Sequence, residues 1–106
     1  MTRYYHGGHQ PRHGILRPQP VRRDGHPGNG YVYVTTERAL AATYASTLPG
    51  GVVMEVAPEG KLEPDPESIL GTSYRVRRAR VIRSWRLPDR ERAARAAATR
   101  ATGLLP

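Results

Sequence analysis

The clearest hydrophobic pattern in the chain runs from residue 31 to residue 48. Tyrosine and valine alternate over residues 31–34, which predicts a strand with both tyrosines on one face. Apolar residues then recur every four positions, which predicts a helix capped by Thr35 or Thr36, with Glu37 in its first turn. The predicted apolar stripe consists of Leu40, Tyr44 and Leu48, with Ala41 and Ala45 beside them.

Shorter alternating patterns predict the other strands. Residues 3–6 form the first, and the Gly7-Gly8 pair is expected to break it, because glycine adopts backbone conformations that interrupt a strand. Residues 51–57 form another strand, and residues 72–76 and 79–85 form two strands or one with a bulge between them. That bulge would bring five side chains onto one face: Tyr74, Val76, Ala79, Val81 and Trp85.

Two segments lack an apolar stripe. Residues 7–30 are dense in glycine, proline, arginine and histidine, which predicts a long irregular loop. Residues 90–100 are rich in alanine and arginine, which are good helix formers, and Asp89 precedes them as an N-cap. A helix there is expected to be solvent-facing or frayed. The predicted organisation is a domain over residues 1–88 and a basic helix or tail over residues 89–106.

The net charge of +8 arises in one part of the chain. Residues 75–100 hold ten arginines against Asp89 and Glu91, whereas the other residues hold seven cationic and seven acidic side chains. A basic stretch of this kind attracts phosphate, either of a nucleotide or of a nucleic acid. A solvated, arginine-rich face explains the same composition equally well.

Length and composition exclude several classes of protein. A chain of 106 residues that is 38% hydrophobic fits one small domain with a thin core. The absence of cysteine excludes disulfides and thiolate metal sites. We expect a cytoplasmic monomer without a membrane partner, because the first residues resemble no signal peptide and no apolar run reaches membrane-spanning length. The spacing of His9, His13 and His26 matches no ligand pattern, so no metal is expected.

Candidate chemistry lies at three places. His6 precedes a glycine pair, where backbone can approach a ligand closely, and its imidazole can donate a hydrogen bond to a sugar hydroxyl or a phosphate. Tyr33 lies at a strand end beside a helix start, which suits a ligand platform. Glu63 and Asp65 are two apart in an extended stretch, so both carboxylates point the same way, as acid–base chemistry can require. Taken alone, His6 is equally typical of an ordinary strand end, Tyr33 is more typical of a half-buried strand residue, and the two carboxylates are more typical of a solvated polar loop.

Four segments, in this order, resemble the rifampin ADP-ribosyltransferase (Arr) family. The first contains the family's Tyr-His-Gly, and the third is similar to its Val-Glu-Pro-x-Gly-x-Phe-Glu-Asp-Asp-Pro. The shared order and spacing cover residues 4–85, and the tail from residue 89 lies outside the resemblance. The segments are Tyr4-Tyr-His-Gly7, Val32-Tyr-Val-Thr-Thr36 with the alanine-rich helix, Val56-Ala-Pro-Glu-Gly-Lys-Leu-Glu-Pro-Asp-Pro66, and Ser73-Tyr-Arg75 with the strand to Trp85.

The resemblance implies a fold and an activity. The fold would be a compact α+β ADP-ribosyltransferase-like fold, with two small packed β-sheets around an NAD cleft and one main helix after the second strand. The activity would be transfer of ADP-ribose from NAD to an acceptor with release of nicotinamide, and without a metal. A rifamycin hydroxyl is the acceptor that the family implies.

The resemblance also implies roles for particular residues. The catalytic set would be His6, Tyr33 and Asp65: His6 would bond a ribose of NAD, Tyr33 would stack on nicotinamide, and Asp65 would be the acid. A carboxylate near the ribose stabilises the oxocarbenium-like state through which the glycosidic bond breaks. The residues beside NAD would be His6, Gly7, Tyr33, Thr35, Tyr74 and Arg75, with arginine pairing with the pyrophosphate.

Three departures from the family pattern concern the acceptor. The loop between Asp65 and Ser73 is shorter than in the family, and Pro64 stands where the family often has a second acid. The early loop is rich in arginine and histidine, where an antibiotic pocket would need apolar residues. Two alternatives therefore stay open. They are the same chemistry on a protein or nucleic acid acceptor, and a non-catalytic basic module that binds nucleic acid.

Overall fold

One antiparallel sheet of seven strands and two helices make up the described part of the chain, so the predicted α+β class is confirmed. The computed structural model describes residues 1–21 and 25–102, and residues 22–24 of the predicted loop lie outside it. Neither helix is long and apolar enough to cross a membrane. The elements are β1 (Tyr4–Gly8), β2 (Ile15–Leu16), β3 (Val32–Thr35), α1 (Arg38–Ser46), β4 (Val52–Glu59), β5 (Glu63–Pro64), β6 (Ser73–Val76), β7 (Arg78–Arg86) and α2 (Asp89–Thr102).

The strands lie in the order β2-β7-β4-β1-β3-β6-β5 within a single sheet. The prediction of two separate packed sheets is therefore wrong, because β1 pairs with β4 on one side and with β3 on the other and joins the two halves. The main helix follows the third strand and not the second. The reason is that Ile15–Leu16, inside the predicted loop, pairs with Ala79 and Arg80 of β7.

One face of the sheet carries the larger apolar core, which we call the inner cluster. Alternation within the strands sends every second side chain into it, so Val32 and Val34 are buried while Tyr33 between them is exposed. Among the described residues no helix contributes to this cluster, so both halves of the sheet and flanking loops enclose it. Its buried members are Leu16, Val32, Val34, Val52, Met54, Val56, Val76 and Ala79.

The opposite face of the sheet packs against α1 through alanines. The predicted apolar stripe was wrong at Tyr44, which is 40% exposed. The residues that α1 buries most fully are instead Ala41 and Ala45. The cause is the close approach of β1, where a Cβ on Gly7 would lie 1.9 Å from the carbonyl oxygen of Ala41. The strand also continues through Gly8 and does not break at the glycine pair, since Gly7 is needed beneath the helix.

The N-cap of α1 lies one or two residues later than the predicted caps, Thr36 and Thr35. The hydroxyl oxygen of Thr35 accepts a hydrogen bond of 3.0 Å from the backbone N–H of Glu37 and donates one of 3.0 Å to the carbonyl of Thr72. Glu37 therefore occupies the N-cap position, and α1 begins at Arg38. The prediction that Glu37 lies in the first helical turn was wrong, because Thr35 holds the chain in a turn before the helix.

A bulge lies in β7, five residues beyond its predicted place. Glu55 pairs with Arg83 but the next residue of β4, Val56, pairs with Val81, which leaves Ile82 as the extra residue. The bulge reverses the faces, so Val81 packs on the inner cluster while Trp85 packs on the helix side. The predicted common face for these side chains is therefore wrong at Trp85.

The last helix packs on the first and completes its C-terminal end. The guanidinium of Arg92 donates to the carbonyls of Ala45 (2.9 Å), Leu48 (3.0 Å) and Gly51 (2.6 Å). Ala45 lies in the last turn of α1, and Leu48 and Gly51 follow the helix, so Arg92 adds a charged donor to the carbonyls at and just beyond the helix end. The helix predicted to be solvent-facing thus has one face bound to α1. The division of the chain at residue 88 stays a prediction.

Candidate functional site

The sheet opens between β1 and β3. These strands share a single register pair, Tyr5 with Thr35, whereas β1 and β4 share five pairs. Beyond that pair the two strands diverge. Their backbone N–H and C=O groups no longer bond each other there, so side chains can bond them instead. The opening lies beside the start of α1, which follows β3 directly.

His6 bridges this opening. Its Nδ1 lies 2.6 Å from the carbonyl oxygen of Tyr33 on β3. Since a carbonyl oxygen only accepts, Nδ1 carries the proton, and Nε2 of the neutral ring is left as an acceptor. Burial lowers the pKa of His6, and the hydrogen bond to Tyr33 opposes that shift only in part. The side chain predicted as a donor to a ligand therefore offers an acceptor, which suits a ribose hydroxyl.

Glycine keeps the space beside that acceptor open. A Cβ at Gly8 would lie 3.0 Å from Nε2 of His6, so a larger residue would crowd the one ring atom that is free to meet a ligand. Gly7, which the sequence placed beside NAD, has a packing role under α1. Its contact with a cofactor stays a prediction.

Tyr33 presents its ring on the outer face of β3, where it is 38% exposed. Its hydroxyl accepts a hydrogen bond from the side-chain amide of Asn29, and the amide oxygen of Asn29 accepts one of 3.2 Å from the backbone N–H of Tyr31. Asn29 thus fixes the tip of the ring. Sequence reasoning missed this residue, although its place between Gly28 and Gly30, just before the strand, was a usable signal.

Arg75 lies beside Tyr33 on the same outer face, since the two residues pair across β3 and β6. Two nitrogens of its guanidinium, Nε and Nη2, each lie 3.2 Å from one carboxylate oxygen of Glu63. Its Cζ also lies 4.4 Å from the centre of the Tyr31 ring, at a distance typical of cation–π contact. The pairing neutralises most of the charge predicted to bind pyrophosphate. Glu63 is a second site residue that the sequence noted but did not assign.

Asp65 lies just beyond β5 and shapes a turn. One oxygen of its carboxylate accepts a hydrogen bond of 2.9 Å from the backbone N–H of Glu67. Its backbone N–H donates to the carbonyl of Ser73 (3.0 Å), next to β6. Within residues 1–21 and 25–102 no hydrogen bond joins Asp65 to His6 or Tyr33. Its role as the catalytic acid stays a prediction.

Two other predicted cofactor residues have packing roles. Thr35 is 5% exposed, and its hydroxyl is engaged at the start of α1. Tyr74 points to the inner face, where its ring meets Tyr4 edge-on with centres 6.0 Å apart. Because Tyr74 and Arg75 are successive strand residues, only Arg75 reaches the outer face. Contact of Thr35 or Tyr74 with NAD stays a prediction.

The direct contacts therefore join His6 to the backbone of Tyr33 and the Tyr33 hydroxyl to Asn29, and Arg75 lies opposite Tyr33 on β6. An exposed aromatic ring, a neutral imidazole acceptor and a guanidinium paired with one carboxylate can hold a ligand with a flat ring, a sugar and an anionic group. No three or more metal-ligating side chains come together in the described residues. No protein-family model matches this sequence, and no curated protein matches it.

Proposed function

We propose that this protein transfers ADP-ribose from NAD to an acceptor hydroxyl, in the first place that of a rifamycin, and releases nicotinamide. One observation carries the proposal: the imidazole of His6 reaches the backbone carbonyl of Tyr33 across the opening between β1 and β3, which links two members of the predicted catalytic set that are far apart in sequence. The sequence resemblance over residues 4–85 suggests the chemistry, and this link supports the proposal.

The roles follow from the groups at this opening. Nε2 of neutral His6 accepts a hydrogen bond from a ribose hydroxyl of NAD. The exposed ring of Tyr33 stacks on nicotinamide, which is cationic in NAD and is attracted by the π face. Arg75 keeps one nitrogen, Nη1, for the pyrophosphate, while Glu63 holds the rest of the guanidinium in place.

The proposed step breaks the bond between ribose C1′ and the nicotinamide nitrogen. Nicotinamide leaves with the bonding electron pair as a neutral molecule, and positive charge develops on the ribose. The carboxylate of Asp65 stabilises this charge and accepts the proton of the acceptor hydroxyl as its oxygen forms the new bond to C1′. The products are the ADP-ribosylated acceptor, nicotinamide and one proton.

A phosphate-bearing acceptor is the second candidate, and one observation favours it. Leu16, one of three apolar residues in the early loop, is buried in the inner cluster, whereas the arginines Arg12 and Arg17 are exposed. The loop thus buries an apolar side chain in the core and leaves cationic side chains exposed, where an acceptor would meet them. A hydrophobic antibiotic favours the opposite arrangement.

The test is nicotinamide release from NAD with and without rifampicin, followed by mass analysis of the drug. Addition of one ADP-ribose to the drug supports the full proposal. Release of nicotinamide with the drug unchanged supports the NAD chemistry and favours the phosphate-bearing acceptor, to be tried as an oligonucleotide. No consumption of NAD with either acceptor overturns the proposal.

Two variants of Asp65 distinguish the effect of its negative charge from the effect of its hydrogen bond in the turn. Asp65→Asn keeps an oxygen for the N–H of Glu67 but removes the negative charge, so turnover should fall about a hundredfold or more with little change in stability. Asp65→Ala removes the turn contact as well and should cost about 1 kcal/mol of stability in addition. Full activity of Asp65→Asn would remove Asp65 from the catalytic set.

A further inference from the structure

A groove lies on the helix side of the sheet, between α1 and the strands β1, β4 and β7. Its volume is about 320 Å³. Its floor includes a cross-strand row, because Tyr5 pairs with Glu55 and Glu55 with Arg83. We call it the cationic groove, and its lining residues are Arg3, Tyr5, Arg38, Glu55, Arg83 and Trp85.

The charges in the cationic groove do not cancel. Its one carboxylate, on Glu55, is 10% exposed and pairs with Nε of Arg83 at 3.3 Å. Arg3 and Arg38 make no ion pair with any described residue. Two guanidinium charges therefore face a concave surface without a counter-charge, and concave surfaces focus the attraction for anions.

The positive surface continues along β7 beyond the groove. Arg78 and Arg80 point to the same side as the groove, because Ala79 between them is buried in the inner cluster. Arg78 pairs with Glu59 at 3.0 Å, and Arg80 has no ion pair within the described residues. The arginines of the groove and of β7 together extend further than one phosphate group could contact, so this surface fits a chain of phosphates.

The aromatic floor shows how a ligand would be held. The guanidinium of Arg38 covers the ring of Trp85 at 4.7 Å, and the ring of Tyr5 meets Trp85 edge-on. One face of Trp85 is therefore covered by a cation. The indole N–H of Trp85 is buried and has no acceptor among the described residues.

We propose that the cationic groove binds the phosphate backbone of a single-stranded nucleic acid. Arginine is suited to phosphate because its planar fork matches the oxygens, and a contact made to phosphate does not depend on the base sequence. The small groove between helix and sheet admits one backbone, whereas a duplex would span it. This inference does not rest on the proposed NAD chemistry, and the groove shares no residue with the candidate site.

The test compares two double variants with equal change in charge. Arg3→Gln with Arg38→Gln removes the two unpaired cations of the groove and leaves the Arg83–Glu55 pair intact. Arg90→Gln with Arg100→Gln removes two exposed arginines of α2, outside the groove and outside the early loop. Binding of a labelled ten-nucleotide DNA strand is measured by anisotropy over a range of salt concentrations, together with emission from Trp85, the single tryptophan.

The groove variant should bind about tenfold more weakly than the wild type, and the slope of log K against log salt should fall by about 1.4 in magnitude, for two lost phosphate contacts. The control variant should stay within about threefold of the wild type. Wild-type Trp85 emission should change on binding. Equal losses in both variants, unchanged Trp85 emission, no binding at low salt, or equal affinity for a duplex or a mononucleotide would each overturn the proposal.

Discussion

The imidazole Nδ1 of His6 lies 2.6 Å from the carbonyl oxygen of Tyr33 and so joins two strands where their ladder has ended. A side chain here takes the place of a backbone N–H. The hydrogen bond links β1 and β3 without pairing their backbones. It also fixes the backbone of Tyr33, whose ring forms the exposed part of the site. The geometry of the opening therefore depends on a single titratable group.

The stability of the protein should depend on pH through His6. Burial lowers the pKa of His6 in the folded state below its ordinary value of 6.5, so the unfolded chain binds the proton more readily. This stabilisation is complete above about pH 6.5 and is lost as the pH falls through the lower, folded-state pKa. Urea unfolding between pH 5 and 8 (about the range in which histidine titrates) measures it.

His6→Gln is the matched variant, because glutamine can donate to the carbonyl of Tyr33 but does not titrate. It should flatten the pH dependence in that range, and His13→Gln, at an exposed position, should not. Identical pH profiles for wild type and His6→Gln would show that His6 is not the group responsible.

Asn29 should position the ring of Tyr33 for NAD. Both Asn29→Ala and Tyr33→Phe break the same hydrogen bond, so each should lower kcat/KM for nicotinamide release about fivefold, as expected for one bond of about 1 kcal/mol. The double variant should lose no more than either single one, because the two residues act through one contact. Losses that multiply would show independent roles.

Arg92 should be a main source of stability outside the core. Arg92→Ala removes the charged donor from the carbonyls of Ala45, Leu48 and Gly51, although the first two keep a backbone N–H donor, and should destabilise the protein by about 3 kcal/mol, since bonds to a charged group contribute more than neutral ones. Urea unfolding measures the loss. Arg90→Ala, an exposed neighbour on α2, should change stability by less than about 0.5 kcal/mol. Equal effects would contradict the capping role.

Gly7 should tolerate no side chain. In Gly7→Ala the new Cβ would overlap the carbonyl oxygen of Ala41, and α1 would have to move from the sheet, at a cost of about 3 kcal/mol. Gly14→Asn is the control, because its backbone has φ +72° in open space and asparagine accepts that conformation. Thermal unfolding of both variants is the measurement, and a stable Gly7→Ala would mean that α1 packs less closely.

Local features were predictable and long-range ones were not. The alternating side-chain pattern predicted β3 and β4, because a period of two residues is visible in neighbouring positions such as Val32 to Val34. The burial of small Ala41 in place of Leu40 depended on the approach of Gly7, and the face of Trp85 depended on a bulge at Ile82. Both arise from pairing with distant strands, which the pattern along one segment does not contain.

In the candidate site, too, the residues could be predicted locally, but their long-range contacts could not. Residues His6 and Tyr33 could be nominated from resemblance, but their contact required the divergence of β1 from β3. Asn29 and Glu63 have no distinctive pattern, and each acquires its role from a partner, Tyr33 or Arg75, that the fold brings to it. The single sheet was missed because one strand, β1, pairs on both sides.

The bond set of Arg92 has a consequence for biosynthesis. The carbonyls at the end of α1 meet the Arg92 guanidinium only after more than forty further residues have been synthesised. The central strand β4 likewise pairs with β7 only after β7 has left the ribosome. A nascent chain therefore cannot complete this part of the fold before residue 92 emerges, and a product interrupted before residue 92 would lack the side chain that holds the end of α1 and would be more open to proteolysis there.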